Sequence, residues 1–140
     1  MTDLNRIKFE SEEHKKFFVN YVPKCRCDDV YHIALIYCLG ISRDTRAHVK
    51  EIYDFKSGNV KPECLDSAWQ TSGSRKVVRL AFNLYCNSTP SVGYMEDAGE
   101  SMEEQLYECE RYTVEEIFCC SYARYFWEAI KLRYPEYCNN

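Results

Sequence analysis

Thr71-Ser72-Gly73-Ser74-Arg75-Lys76-Val77-Val78-Arg79-Leu80-Ala81-Phe82-Asn83-Leu84-Tyr85-Cys86 is the stretch that decides the fold class. Small hydroxyl residues and a glycine precede an apolar set, Val77, Leu80, Ala81, Leu84 and Tyr85, at i, i+3, i+4, i+7 and i+8. That spacing gathers all five on one face of an α-helix and would scatter them over both faces of a strand. The helix therefore has an inside, and Val77, Leu80, Ala81 and Leu84 are expected in the core with Phe118, Phe126 or Ile130 of the C-terminal run.

The same test applied outward finds more helices. Towards the N-terminus, residues 55–70 break every period: Ser57-Gly58-Asn59 reads as a turn and Pro62 pushes Lys61 towards an extended conformation, so an ordered loop is expected. Before it, Ser42 can cap a helix with Val49, Ile52 and Tyr53 as a narrow stripe. Asp28 and Asp29 offer an acidic start to a helix carrying Val30, Ile33, Ala34, Tyr37 and Cys38, which Gly40 ends. Ser11 caps a first helix with Phe17, Phe18 and Tyr21, closed by Pro23. Ile7 and Phe9 alternate with Lys8, the pattern of a short strand over 6–9.

Towards the C-terminus, residues 86–100 collect Asn, Ser, Thr, Pro and Gly and read as a surface connection. Ser101 with Glu104, and Thr113 with Glu116, have the spacing of capping boxes. The last run, Val114 to Tyr134, is one bent helix or two short ones, with Ser121 as the break and Pro135 as the stop. The prediction is a mainly α, single compact domain over 1–140, built of five to seven helices, with a surface loop and acidic segment around 87–112.

Composition supports a packed core: 46% of residues are apolar and 15% aromatic, among them twelve tyrosines, whose rings favour the core boundary or an interface. The charged residues of the first sixteen positions leave no room for a signal-peptide h-region, and the longest apolar run, residues 30–39, is too short to span a bilayer. A cytoplasmic chain without membrane contact is expected. The nine cysteines are an odd count and read as reduced thiols. Cys25 and Cys27, completed by Cys119-Cys120 or Cys138, form the zinc alternative, but a tetrahedral structural site normally draws on two tight ligand pairs and only one is present.

Two patches stand out electrostatically. From Glu96 to Glu116 there are nine acidic residues against Arg111 alone, within a net charge of −4 for the chain. This is either a solvated surface or a docking face for a basic partner, with Glu103, Glu104, Glu108 and Glu110 as its candidate contacts. The second patch is the helix start already quoted. Thr71, Ser72 and Ser74 expose amides at the positive end of a helix dipole, and Arg75, Lys76 and Arg79 follow, so these six could hold a phosphate or another anion. The plain alternative is an ordinary N-cap with a solvent-facing basic side. Both Glu103 with Glu104 and Arg75 with Lys76 are expected to face water. His14, His32 and His48 stand in no catalytic motif, and no nucleophile elbow, zincin signature or phosphate-binding glycine loop occurs. No cofactor, metal or catalytic residue is assigned.

Residues 52–55 (Ile-Tyr-Asp-Phe), 60–65, 69–75 and 80–85 (Leu-Ala-Phe-Asn-Leu-Tyr), with the ending Tyr125 to Tyr137, resemble the signature of an uncharacterised family of small proteins. The family is found in Gram-positive anaerobes and their phages or conjugative elements. The resemblance carries no activity, cofactor or binding residue; it implies an association with mobile elements. The expected function is a non-catalytic, protein-binding accessory factor of a phage or mobile element, its narrower form an inhibitor of a host defence nuclease. The alternatives are nucleic-acid or nucleotide binding through Thr71 to Arg79, and a zinc-binding or enzymatic protein with an unrecognised site. The partner is then another protein, or less favourably a nucleic acid.

Overall fold

The structure is a computed structural model that describes residues 3–92 and 101–138. Within them the chain is mainly α, as expected. Five helices have nine residues or more: α1 (Glu12–Tyr21), α2 (Val30–Leu39), α5 (Ser72–Cys86), α6 (Met102–Glu110) and α8 (Ala123–Arg133). Short helices link them, namely α3 (Arg43–Ala47), α4 (Val49–Ile52), α7 (Val114–Phe118) and α9 (Pro135–Cys138). Two strands, β1 (Tyr53–Asp54) and β2 (Asn59–Val60), pair antiparallel with Tyr53 opposite Val60.

Helix starts fall where side-chain oxygens can meet orphan amides. Ser11 Oγ accepts from His14 N at 3.1 Å, Asp29 Oδ1 from His32 N at 3.0 Å and Ser101 Oγ from Glu104 N at 3.1 Å. Each satisfies one donor of a first turn. Gly58, at φ +79°, sits in the β1–β2 turn in the left-handed region that glycine enters without strain.

The core forms around α2. Residues Ala34 to Leu39 are all buried, which fits a helix lying between α5 on one side and α8 on the other. α5 contributes Val77, Val78, Leu80, Ala81, Phe82 and Leu84, and α8 contributes Phe126 and Ala129. The expected core face of α5 is thus buried, while Phe118 and Ile130 pack only partly buried against it.

Residues 6–9 do not form the expected strand. Leu4–Arg6 is a turn of 3-10 helix, and the extended residues after it are held by side chains: Tyr37 donates its hydroxyl to Lys8 O at 2.5 Å, and Lys8 N donates to Glu128 Oε2 at 3.4 Å. The loop expected over 55–70 contains the second strand and a 3-10 turn at Pro62–Asp66. The helix expected after Ser42 is interrupted at His48. Its Nδ1–H donates to Asp44 O at 2.8 Å while its backbone N–H turns to Thr45 O, and the ring stacks on Trp69 at 4.3 Å between centroids. The C-terminal run divides into α7 and α8 around residues 119–122.

Two buried polar residues organise the ends of the core. His14 is fully buried; its Nδ1 accepts from Glu10 N at 3.0 Å, so Nε2 carries the proton donated to Tyr37 O at 2.7 Å. A Cβ at Gly40 would lie 2.6 Å from the His14 ring, so the end of α2 is closed down onto the histidine. Arg133 closes α5: Nε donates to Leu84 O at 2.9 Å and a terminal nitrogen donates to Asn87 Oδ1 at 3.1 Å, with the guanidinium 3.8 Å from the Tyr31 ring centre. It supplies the positive charge that a helix C-terminus favours.

Candidate functional site

At the start of α5, where Thr71, Ser72 and Ser74 are expected to expose amides to an anion, the amides of Thr71 and Ser74 are taken up by the helix's own cap. Thr71 Oγ1 accepts from Ser74 N at 3.0 Å, and Ser74 Oγ in turn accepts from Thr71 N at 2.7 Å and donates to Gln70 Oε1 at 2.5 Å. This is a reciprocal capping box with a serine in the place usually taken by glutamate. Ser74 is buried with its hydroxyl proton given to Gln70, so it is not available to a ligand, whereas Thr71 is exposed. Ser72 is exposed.

The cations that follow are not free in water, contrary to the expectation for Arg75 and Lys76; both are half-buried. Arg75 Nε donates to Leu65 O at 2.9 Å, and Lys76 Nζ donates to the main-chain oxygen of Glu116. Arg79 pairs with Glu108 of α6 at 3.5 Å, the two side chains being 13% and 25% exposed. Arg111, the residue after α6, pairs with the Glu116 carboxylate and lies 4.1 Å from the Tyr107 ring centre. The basic helix start and the acidic segment, which the sequence presents as separate surfaces, are brought face to face. Between them lies a cleft of about 280 Å³ lined by Ser72, Arg75, Lys76, Arg79, Tyr107, Arg111 and Glu116.

The remaining acidic candidates point elsewhere. Glu103, Glu104 and Glu110 are exposed, whereas Glu108 is committed to Arg79. Glu96, Asp97 and Glu100 lie outside the described residues. Beside the carboxylates, α6 displays Met102, Leu106 and Tyr107 at 70%, 57% and 53% exposure, and it has no buried residue. Sequence reading missed Tyr107 and Arg111 as cleft residues; the available signal was Arg111 standing alone among nine acids.

The other ionisable groups are tied into the fold. His32 Nδ1 donates to Asp29 Oδ1 at 2.7 Å, and its Nε2 lies 3.3 Å from the Tyr85 hydroxyl, which donates to Gly58 O at 2.7 Å and meets the Tyr53 hydroxyl at 3.1 Å. Burial pushes both phenols up, so neither is a phenolate near neutral pH, and the network acts to fasten the hairpin to α2 and α5. Burial raises the Cys25 and Cys64 thiols to about 12 and Cys38 further still, the opposite of an activated nucleophile. All nine cysteines are free thiols. Among the described residues no group of three or more Cys, His, Asp or Glu side chains is placed to hold a metal ion, so the pair Cys25 and Cys27 gains no completing ligands there. No helix among the described residues is long and apolar enough to cross a membrane.

No curated protein and no solved structure matches the chain. A family model, described as a family of unknown function (DUF6075), matches residues 4–140. With its caps, core and α5–α6 cleft all inside that span, the chain belongs to the DUF6075 family.

Proposed function

We propose that the protein is a non-catalytic binding module that docks another protein on α6. One observation carries this reading: α6 is a nine-residue helix without a buried residue, and it presents Met102 and Leu106, one turn apart, between the exposed carboxylates of Glu103, Glu104 and Glu110. A helix this short is marginal without tertiary support. Here its apolar stripe is turned to solvent, and the helix is held by the Ser101 cap, the Arg79–Glu108 pair and the Arg111 contacts. An amphipathic helix laid into a groove with basic rims is the interaction mode that such a face suits. The narrower version is a mobile-element accessory factor that covers the basic surface of a host defence nuclease, with the Glu103 and Glu104 carboxylates standing where nucleic-acid phosphates would. Binding of duplex nucleic acid through α5 has less support, because Arg75 and Lys76 are half-buried and tied to carbonyl oxygens.

The test is affinity capture from a Gram-positive host lysate with three baits: the wild type, Leu106→Asp, and Glu103→Lys with Glu104→Lys. A stoichiometric partner retained by the wild type, lost with Leu106→Asp and captured more slowly by the charge-reversed pair is expected, since rim charges steer encounter while a central apolar anchor holds the complex. Recovery of no partner, or of one retained equally by all three baits, would remove α6 as the working surface.

A further inference from the structure

We infer that the cleft between α5 and the end of α6 is a binding site for a terminal phosphate, meaning a dianionic oxyanion carried as free phosphate or as a phosphate monoester. A helix start alone would not make this site, and the side-chain oxygens of Thr71 and Ser74 are engaged in the capping box. What makes it is the convergence of four cations from two separate segments, Arg75, Lys76 and Arg79 on α5 and Arg111 after α6, on one concavity. Glu108 and Glu116 are the carboxylates that pair with them, on Arg79 and Arg111 respectively. Arg75 and Lys76 are held by main-chain oxygens, so two positive charges are left without a carboxylate among the described residues. The Nε atom of Arg79 is buried and has no hydrogen-bond partner among the described residues, so its guanidinium is satisfied only in part by Glu108.

Charge and shape together define the ligand class. Arginine forks match the tetrahedral oxygens of phosphate, and a surplus of two positive charges matches a dianion better than a diester, which carries one negative charge. A concavity of about 280 Å³ takes a terminal phosphate with a small substituent, whereas tracking a nucleic-acid backbone needs a continuous groove. Tyr107, with the Arg111 guanidinium over its ring, places an aromatic side chain in the wall beside any substituent. The inference does not depend on what α6 docks.

The experiment is a titration of the full chain, labelled for amide NMR in low-salt buffer, with inorganic phosphate, phenyl phosphate and dimethyl phosphate. Saturable shifts are expected at the amides of Ser72, Lys76 and Arg111 with the first two probes and not with the diester. Stronger binding of phenyl phosphate would identify a monoester as the ligand, and stronger binding of phosphate the free ion; both outcomes support the site. Arg75→Gln with Lys76→Gln should weaken binding by at least about tenfold, the loss expected for a single charged hydrogen bond, with the circular dichroism spectrum as the folding control. If that double variant does not fold, the shift map of the wild type still decides the matter. Absence of saturation, shifts confined to other residues, undiminished binding by the folded variant, or tighter binding of a DNA duplex than of either monoanionic or dianionic small probe would overturn the inference.

Discussion

Lowering the pH from 7 to 5 should destabilise the protein through one residue, His14. Its ring is fully buried, its Nδ1 accepts the Glu10 amide and its Nε2–H donates to Tyr37 O, so the folded state holds the neutral tautomer. Burial is the dominant cause that brings its pKa down to about 4 from an ordinary 6.5; the nearby Arg46 guanidinium adds to the depression, and the Tyr37 hydrogen bond and Glu10 oppose it. The unfolded chain therefore takes up a proton as the pH falls through about 6.5, while the folded chain does not until about 4. Stability is complete above the first value, is lost between the two, and changes no further below the second. At about 1.4 kcal/mol per pH unit, the full window is worth about 3 kcal/mol, of which roughly 2 kcal/mol is spent between pH 7 and pH 5. For a domain of this size that is a fall in Tm on the order of 5 to 10 °C. Urea unfolding followed by circular dichroism at the two pH values measures it directly. His14→Gln, which removes the titration, should be less stable at pH 7 yet lose far less on acidification. Asp29 does not blur the comparison. Its carboxyl is lowered because hydrogen bonds from His32 outweigh the opposing effect of burial, and its contribution is lost only in more acidic solution. Equal losses between pH 7 and pH 5 for wild type and His14→Gln would refute the assignment.

Leu84→Ala should cost about 2 to 5 kcal/mol, because it empties a buried position on the core face of α5, and an unchanged unfolding midpoint would mean that this face is not the core. Under native reducing conditions, a thiol reagent should label the exposed Cys27, Cys109 and Cys119 first and the buried Cys38 and Cys64 last, with all nine cysteines labelled after denaturation; mass spectrometry reads both stages. Cys119 should be the slowest of the exposed three, since neighbouring Glu115 holds its thiol above the usual range.

Local chemistry was readable from the sequence wherever a structure depends on residues three or four apart. Ser11, Asp29, Ser42, Thr71, Ser101 and Thr113 each cap a helix because the oxygen and the amide it meets lie within one turn. The α5 stripe was readable for the same reason. What stayed hidden depends on partners far along the chain. His14 lies in a first turn with charged neighbours and looks solvent-facing, until Tyr37, twenty-three residues on, provides a carbonyl for it. Arg133 reads as the basic end of α8, and only the fold shows that it closes α5 through Leu84. The β1–β2 pair has two residues to a strand, too few to show a period of two.

The candidate site was legible as residue types but not as a place. The nine acids from Glu96 to Glu116 and the cations of α5 suggested rival surfaces because linear charge counting treats each segment as facing water. In the folded chain Glu108 of that segment pairs with Arg79 of α5, while Glu116 pairs with Arg111 within the segment itself. Two consequences follow for α6. The carboxylates left outside, Glu103, Glu104 and Glu110, flank the exposed apolar residues Met102 and Leu106, the arrangement on which the proposed docking rests. The helix carries the Ser101 cap and the Arg79–Glu108 pair, interactions worth about 1 kcal/mol each or less, and no buried apolar side chain of its own. A segment so held opens locally at a small fraction of the free energy needed to unfold the α2–α5–α8 core. The core can therefore keep its packing while α6 adjusts to what it meets, and this division between a rigid three-helix centre and a lightly held outer helix is the property on which a binding role would draw.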